Sequence, residues 1–427
     1  VVEPNIALVY VNNQDSPGMG VAYLLSYWRA AGIDVHLFDT FNMPMLQRHL
    51  IDFDVVAFST HTLASKFAEE LAYNVKSFSP STKVIWGGPD AMARPEELAK
   101  ADYVDFICIG EGEHFVPELF NNGFDPNTRG NYPNGLASPV SCEDMLYPDL
   151  EPWRSWCESN YVPVMLGRGC PYSCTYCSNS YYKELWNDSN EHFYRTRPMD
   201  QVFTEIESSL SQFPKTKGVG VHTETFGEQV ERFTDEYKRR GCTFSYVTSS
   251  RPDALTEEKV RRMVETNCVY CGMGIEAGEE SVRRKYLKRY MTDEQIIKAF
   301  GWLHDAGIET HSFNIIGLPG EDLDSIKKSV ELNRKCGIKK AQYTILYPFQ
   351  KTAMRELYEK KGWVNNQLYT NKDPRCFMGM YDYYNICAID IPNFTPQQLF
   401  FLEAYLPKIV TGDFSWEEML KIYPKNK

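Results

Sequence analysis

No stretch of this chain holds the roughly 18 consecutive apolar residues that a membrane-crossing helix needs, so no bilayer span is expected. Basic charge is in short supply: 45 Lys and Arg stand against 57 Asp and Glu, with a pI near 5.3. The net charge of −12 argues against nucleic acid or an anionic membrane surface as the main partner. Short internal repeats, low-complexity tracts and a visible secretory signal are all lacking. What the chain does have is core: 427 residues, 43% hydrophobic and 14% aromatic, enough for two or three domains. With that much core, the twelve cysteines do not read as a disulfide scaffold, which small chains use in place of one.

Residues 1–120 alternate short apolar runs with helical stretches. Ile6–Val11, Val35–Phe38, Val55–Phe58, Val84–Trp86 and Phe106–Ile109 read as strands, and Val21–Ala31 as a helix. Such alternation predicts a parallel, doubly wound α/β sheet. Asn, Pro and Gly then crowd Asn121–Pro139, so a linker is expected over 121–160. A second α/β series covers 161–350. Its strands are expected at Val162–Leu166, Gly218–Val221, Thr243–Val247, Cys271–Ile275, Thr310–Ile316 and Ala341–Leu346. Helices are expected at Met199–Ser211 and Thr292–Ala306, with Asp200 and Thr292 as N-caps. The remainder, 351–427, is aromatic and irregular before a helix near Thr395–Tyr405; a substrate pocket or lid is expected there.

The densest chemistry follows the first strand of the second series. Cys170, Cys174 and Cys177 stand in a Cys-x3-Cys-x2-Cys run, a spacing that chance produces in roughly one chain of this composition in a hundred. Zinc would need a fourth ligand from a second Cys/His pair at ribbon spacing; His192 is the nearest histidine, and no such pair lies close. Three buried packing thiols are the bland alternative. Three thiolates this close suit three corners of a 4Fe–4S cubane, a cluster usually held by four cysteines, with one iron left open to a small molecule. An exposed cluster needs a reducing compartment, so a cytoplasmic, oxygen-sensitive protein is expected. Cys268 and Cys271 also stand Cys-x2-Cys, but at a strand start, where residues three apart point to opposite faces; they are expected to be buried thiols. Cys376 and Cys387 are read as packing rather than a second metal site. Tyr381–Tyr384 either line a substrate pocket or plug the second domain.

The triplet resembles the signature of the radical S-adenosylmethionine (SAM) superfamily. There the open iron binds the amino and carboxylate groups of SAM and cleaves it to a 5′-deoxyadenosyl radical. The resemblance implies that the second series is a partial (β/α)6 barrel of TIM type, with the site at the C-terminal strand ends. It also implies roles at those ends. Tyr176 would meet the adenine through its backbone. Glu224, after the second strand, would reach the SAM amino group, although the family's Gly-Gly-Glu is absent. Ser250 and Arg251 end the third strand, and Arg251 offers a bidentate fork for a carboxylate. Glu276, within Gly274–Gly278, would accept from the ribose hydroxyls. One of Arg283, Arg284 and Lys285, with Arg284 preferred, would bind the SAM carboxylate. Ile316 immediately precedes Gly-Leu-Pro-Gly in the segment Asn314–Gly320, which is expected against adenine.

The first domain resembles the Rossmann-like cobalamin-binding domain. Asp15-Ser16-Pro17-Gly18-Met19-Gly20 is similar to the family's Asp-x-His-x-x-Gly loop, with Pro17 where the histidine would be. Ser59 and His61 end one strand, and Gly87-Gly88-Pro89 end another. Gly110-Glu111 is a further mark of radical SAM proteins with this domain. The resemblance implies cobalamin bound with its nucleotide tail passing Ser59 and Gly87-Gly88. Proline has no nitrogen to give a metal, so cobalt would lack a protein ligand at Pro17; His61 is an alternative axial ligand.

Over residues 5–350 the chain resembles cobalamin-dependent radical SAM enzymes, most of which are methyltransferases. The implied activity is methylation of an unactivated carbon through methylcobalamin and a 5′-deoxyadenosyl radical. An external electron donor such as ferredoxin or flavodoxin is implied. The substrate is left open between a peptide or protein side chain, such as a glutamine of methyl-coenzyme M reductase, a lipid and a small natural product. A non-methylating rearrangement or cyclisation, a radical SAM enzyme with an empty first domain, and a non-enzymatic iron–sulfur or corrinoid carrier are the alternatives.

Overall fold

The computed structural model describes residues 5–11, 16–40, 49–188, 192–370 and 386–424, the side chains of 366–370 excepted. The chain divides into two compact units, one carried mainly by Val1–Ser159 and the other by Asn160–Lys183 with Phe193–Asp373 and the following residues.

The first unit is a five-stranded parallel sheet: β1 (Ile6–Tyr10), β2 (Val35–Asp39), β3 (Val55–Ser59), β4 (Lys83–Gly87) and β5 (Phe106–Ile107), in the order β2-β1-β3-β4-β5. Its strands are near-continuous apolar runs because both faces are covered: Ile6, Ala7, Val9, Val56, Val84 and Trp86 are fully buried. The order reverses between β1 and β3, and the C-terminal ends beside such a switch point are where open α/β sheets bind ligands.

Strand β5 is shorter than the run Phe106–Ile109 suggested, and the reason lies in the segment expected as a linker. Cys108 bridges antiparallel to Asn131, and Ile107 N–H donates to Asn131 Oδ1 at 2.9 Å. Farther on, Ile109 donates to Gly130 O, Ala137 to Ile109 O and Asp149 to Ala22 O, while the Trp153 indole donates to Asp39. Residues 121–159 are thus bonded to the first sheet rather than strung free of it. Their Pro, Gly and Asn content signals irregular backbone, not detachment.

The second unit is a six-stranded parallel sheet. Its strands are β6 (Tyr161–Met165), β9 (Gly218–His222), β10 (Tyr246–Ser250), β11 (Cys268–Glu276), β12 (Glu309–Ile316) and β13 (Ala341–Ile345), and they lie in chain order. Between β6 and β9, β7 (Gly167–Arg168) pairs antiparallel with β8 (Arg195–Thr196). Consecutive parallel strands joined by helices, with no pairing between β6 and β13, give a partial (β/α)6 barrel. The free edge of β13 is met by the helix Pro396–Thr411, whose Glu403 accepts from Ile345 N–H. A capping box at Thr395 starts that helix, and another at Thr292 starts Asp293–Asp305. Asp200 is not an N-cap: Pro198 takes that position for the helix Met199–Gln212, which leaves Asp200 in the first turn, where its charge still favours the helix N-terminus. β10 begins three residues later than expected, with consequences for the site.

Candidate active site

The cysteine loop leaves the C-terminal end of β6 and is pressed against β8. A Cβ at Gly167 would lie 2.2 Å from Arg195 O, and one at Gly169, whose φ is +77°, would lie 2.2 Å from Phe193 O. Only glycine allows that approach. The loop is tied down along its length. Lys183 donates to Pro171 O at 2.8 Å, Ser180 to Cys177 O at 2.7 Å, the Thr175 hydroxyl to Tyr286 O, and Met354 N–H to Thr175 O at 3.0 Å.

Cys170, Cys174 and Cys177 are free thiols and partly exposed; every other described cysteine except Cys242 is buried. Burial raises the Cys170 thiol, with a backbone N–H at Tyr172 pulling the other way, and pushes Cys177 up to about 12. Without a metal these two are therefore protonated at neutral pH, and ligation must displace their protons. Among the described residues, no three His, Cys, Asp or Glu side chains converge as ligands of one metal ion would. A cubane takes each thiolate on a different iron, so its cysteines stand apart.

Glu276 occupies the C-terminal end of β11 with φ +69°, a left-handed conformation that costs a non-glycine residue about 1–3 kcal/mol and clusters at functional sites. The register against β12 slips by one residue there. Its side chain turns back over Gly274, where an added Cβ would meet Glu276 Oε1 at 2.1 Å. Its carboxylate lies 3.6 Å from Arg289 Nη1. Arg289 donates to Gly274 O at 2.6 Å and toward the Tyr176 hydroxyl at 3.5 Å, and its Nε is buried without a partner. Burial opposes the charge on Arg289, but Tyr176, Glu276 and Cys174 more than offset it and hold its pKa above the usual arginine value. Burial, then Glu276, raises the Tyr176 phenol well above normal.

Glu224 and His222 close the end of β9. Both are reached by solvent, yet their surroundings raise the carboxyl of Glu224, with Asn179 pulling down, and lower the imidazole of His222. Glu224 acts electrostatically on both Cys170 and Cys177, which places it facing the loop.

Other expected residues have their side chains engaged within the fold. The Ser250 hydroxyl is buried and accepts from Gly227 N–H at 3.0 Å; its neighbour Ser249 takes the open face beside Gly272 and Phe313. Arg251 is buried with its fork on Asp253, at 2.9 and 2.8 Å. Arg284 is half exposed and pairs with Glu280 on the helix surface. Arg283 is the buried one, donating to Ala277 O and Asp293, and so serves the fold. Ile316 is fully buried, and its carbonyl accepts from Leu346 N–H.

In the first unit, Ser59, His61, Gly87, Gly88 and Pro89 lie together at the ends of β3 and β4. Thr60 N–H donates to Gly87 O and Asp90 N–H to Thr60 O. Gly88 has φ +83°, and a Cβ there would lie 2.6 Å from Thr60 O, so the loop itself demands glycine. Buried Asp90 anchors the turn, accepting from the Trp86 indole at 3.0 Å and from Arg94 Nε at 2.9 Å. Burial lowers the His61 imidazole, with Asp90 opposing. Pro17 and Gly18 precede the helix Met19–Ala30; Asp15 lies outside the described residues. Gly110 packs on Leu136, and Glu111 accepts from Val140 N–H at 2.7 Å.

Residues 164–332 match the Radical SAM superfamily model, and residues 6–120 match the B12 binding domain model. The protein joins a B12-binding domain to a radical SAM domain. An uncharacterized methyltransferase of Pyrococcus horikoshii is 26% identical, over 86% of this chain and 84% of its own length. Two solved structures share the fold. The radical SAM methyltransferase TsrM from Kitasatospora setae, with cobalamin and a [4Fe-4S] cluster bound, has a TM-score of 0.67 at 17% identity, covering 87% of this chain and 81% of TsrM. The cobalamin-dependent SAM radical enzyme OxsB has a TM-score of 0.70 at 16% identity, covering 94% of this chain and 66% of OxsB.

The two domains carry the cofactors: a 4Fe–4S cluster and SAM in the radical SAM domain, cobalamin in the B12-binding domain. The radical SAM domain fits its groups, with three accessible thiols on a glycine-shaped loop and carboxylates at the ends of β9 and β11. The B12-binding domain fits at Gly87, where an added Cβ meets nothing closer than Phe58 O at 3.5 Å; Gly88 is explained by its own loop. Arg289 was missed in the sequence. The helix Glu280–Leu287 ends at Lys288 with φ +52°, and that turn sends Arg289 inward, whereas the basic run at 283–285 drew attention to the helix. Cys268 and Cys271 are buried as expected, with Cys268 raised to about 12 by burial. Cys387 is buried and bonded to Ile389 O. Cys376 and Tyr381–Tyr384 lie outside the described residues.

Proposed function

We propose that this radical SAM protein methylates an unactivated carbon, using SAM and cobalamin together. The observation that carries the reading is the length of its likeness to a methyltransferase, 86% of the chain, enough to take in both domains. Cys170, Cys174 and Cys177 would hold the cluster, and Glu224, Glu276 and the backbone at Tyr176 would position SAM. When bound, the cluster and SAM supply hydrogen abstraction from the substrate, and cobalamin supplies the methyl group. The protein's part is placement and exclusion. Arg289 and Tyr176 fix the Glu276 carboxylate, and the helix Ala353–Lys361 backs the cysteine loop through Met354. An external ferredoxin or flavodoxin would deliver the electron.

The substrate proposed is a peptide or protein side chain, a glutamine of methyl-coenzyme M reductase being one candidate, with a small natural product as the alternative. The Ser249 hydroxyl, beside Phe313, suits an amide-bearing side chain. The test is an anaerobic assay with candidate peptides, scored by mass spectrometry. A singly methylated product formed with S-adenosylhomocysteine and 5′-deoxyadenosine is expected. SAM cleavage without methylated product would instead support a rearrangement or cyclisation, and no cleavage at all would leave a carrier.

A further inference from the structure

The Arg251 guanidinium is held on three sides. Nε and Nη2 both bind Asp253, at 2.9 and 2.8 Å. Its flat face lies 3.8 Å from the centre of the Tyr172 ring, and the Tyr172 hydroxyl is itself fixed on Glu228 at 2.5 Å. The remaining edge presents Nη1 to Cys174 Sγ at 3.3 Å. Arg251 is only 7% exposed, so this contact is weakly screened. A SAM carboxylate seeking the fork would first have to displace Asp253.

We propose that Arg251 acts on the cluster rather than on SAM: it is the hydrogen-bond donor to the Cys174 thiolate and sets the potential at which the cluster accepts its electron. Reduction adds one electron from an external donor, lowers the cluster's charge by one and moves no proton. A cation bonded to a ligand sulfur stabilises the more negative form, and hydrogen bonds to cluster sulfurs raise the potential for this reason. Asp253 opposes that effect with its own charge while fixing the direction of the guanidinium. Arg251 is thus a positioning and tuning residue that touches a ligand and not the substrate.

The inference rests on the radical SAM reading of the cysteine loop, which the iron content of the wild-type protein tests separately. The deciding experiment is a potentiometric titration of the reconstituted full chain without SAM, with a low-potential viologen as the electron source and the reduced cluster read by electron paramagnetic resonance. Arg251→Gln should keep its iron and shift the midpoint to more negative potential. Asp253→Asn should shift it to more positive potential. A structural role would disturb both variants in the same direction. Equal potentials in an iron-replete Arg251→Gln protein, or shifts of one sign in both, would overturn the proposal. If Arg251→Gln fails to hold iron, Asp253→Asn decides alone: a positive shift supports the proposal, and no shift or a negative one ends it.

Discussion

At the scale of single residues, the three accessible thiols were legible as a local pattern and the groups around them were not. Cys170, Cys174 and Cys177 are a local pattern, and so is Glu276 between its glycines. Replacing Cys174 with Ala should remove most of the iron and all SAM cleavage; an iron assay with full occupancy would refute the cluster. Glu276→Gln should leave iron intact and weaken SAM binding ten- to a hundredfold, the equivalent of losing a charged hydrogen bond worth about 1.5–3 kcal/mol. Equilibrium binding of SAM checks this, and unchanged affinity would remove Glu276 from the site. Arg289 was not legible because its burial depends on a left-handed turn at Lys288. Ser250 was named without a face being assigned to it, and β10 begins three residues later than expected. Alternation assigns a side chain to a face only once the register is known.

At the scale of elements, the alternation of strands with helices announced parallel sheets, and the order of the strands within each came from the structure. Segments without periodicity resisted reading, 121–160 above all. One loop offers a sharp test. Glu321, after β12, is buried and accepts from Gly317 and Leu318 N–H at 2.7 and 2.9 Å. Burial raises its carboxyl to about 8, against the pull of those two N–H groups. Its pKa in the folded state thus lies above that of the unfolded chain, so between the two values the native protein holds a proton that the unfolded chain has lost. Stability should therefore fall as pH rises from about 4.5 toward 8, by about 1.4 kcal/mol per pH unit from this group alone. Both backbone N–H groups meet the same oxygen, so Glu321→Gln preserves them and should flatten that slope. Denaturant unfolding across this pH range is the measurement, and an unaltered slope in the variant would show that Glu321 is ionised throughout.

At the scale of the whole molecule, two cofactor-binding domains were visible because each carries its motifs at strand ends, where parallel sheets bind ligands. The substrate was not, because nothing in 351–427 repeats a known pattern. The two chemistries should be separable by mutation. A Cβ at Gly87 makes only ordinary contacts, so a Gly87→Leu protein that folds should keep its iron and cleave SAM, yet lose cobalamin and methylation. Cobalamin absorbance after gel filtration checks the expectation; full retention would place the nucleotide tail elsewhere. Gly88 is unsuited to the same test, because any L side chain there strikes the Thr60 backbone.

The helix Pro396–Thr411 has a bearing on how the protein is made. On the ribosome, β13 emerges well before Glu403, the residue that binds its outer edge at Ile345. Until then the nascent sheet ends in a strand with unpaired backbone groups, a template for joining another chain. Release of a chain cut short before this helix should therefore produce aggregates rather than a smaller soluble barrel, because the helix is what makes the sheet safe from its neighbours.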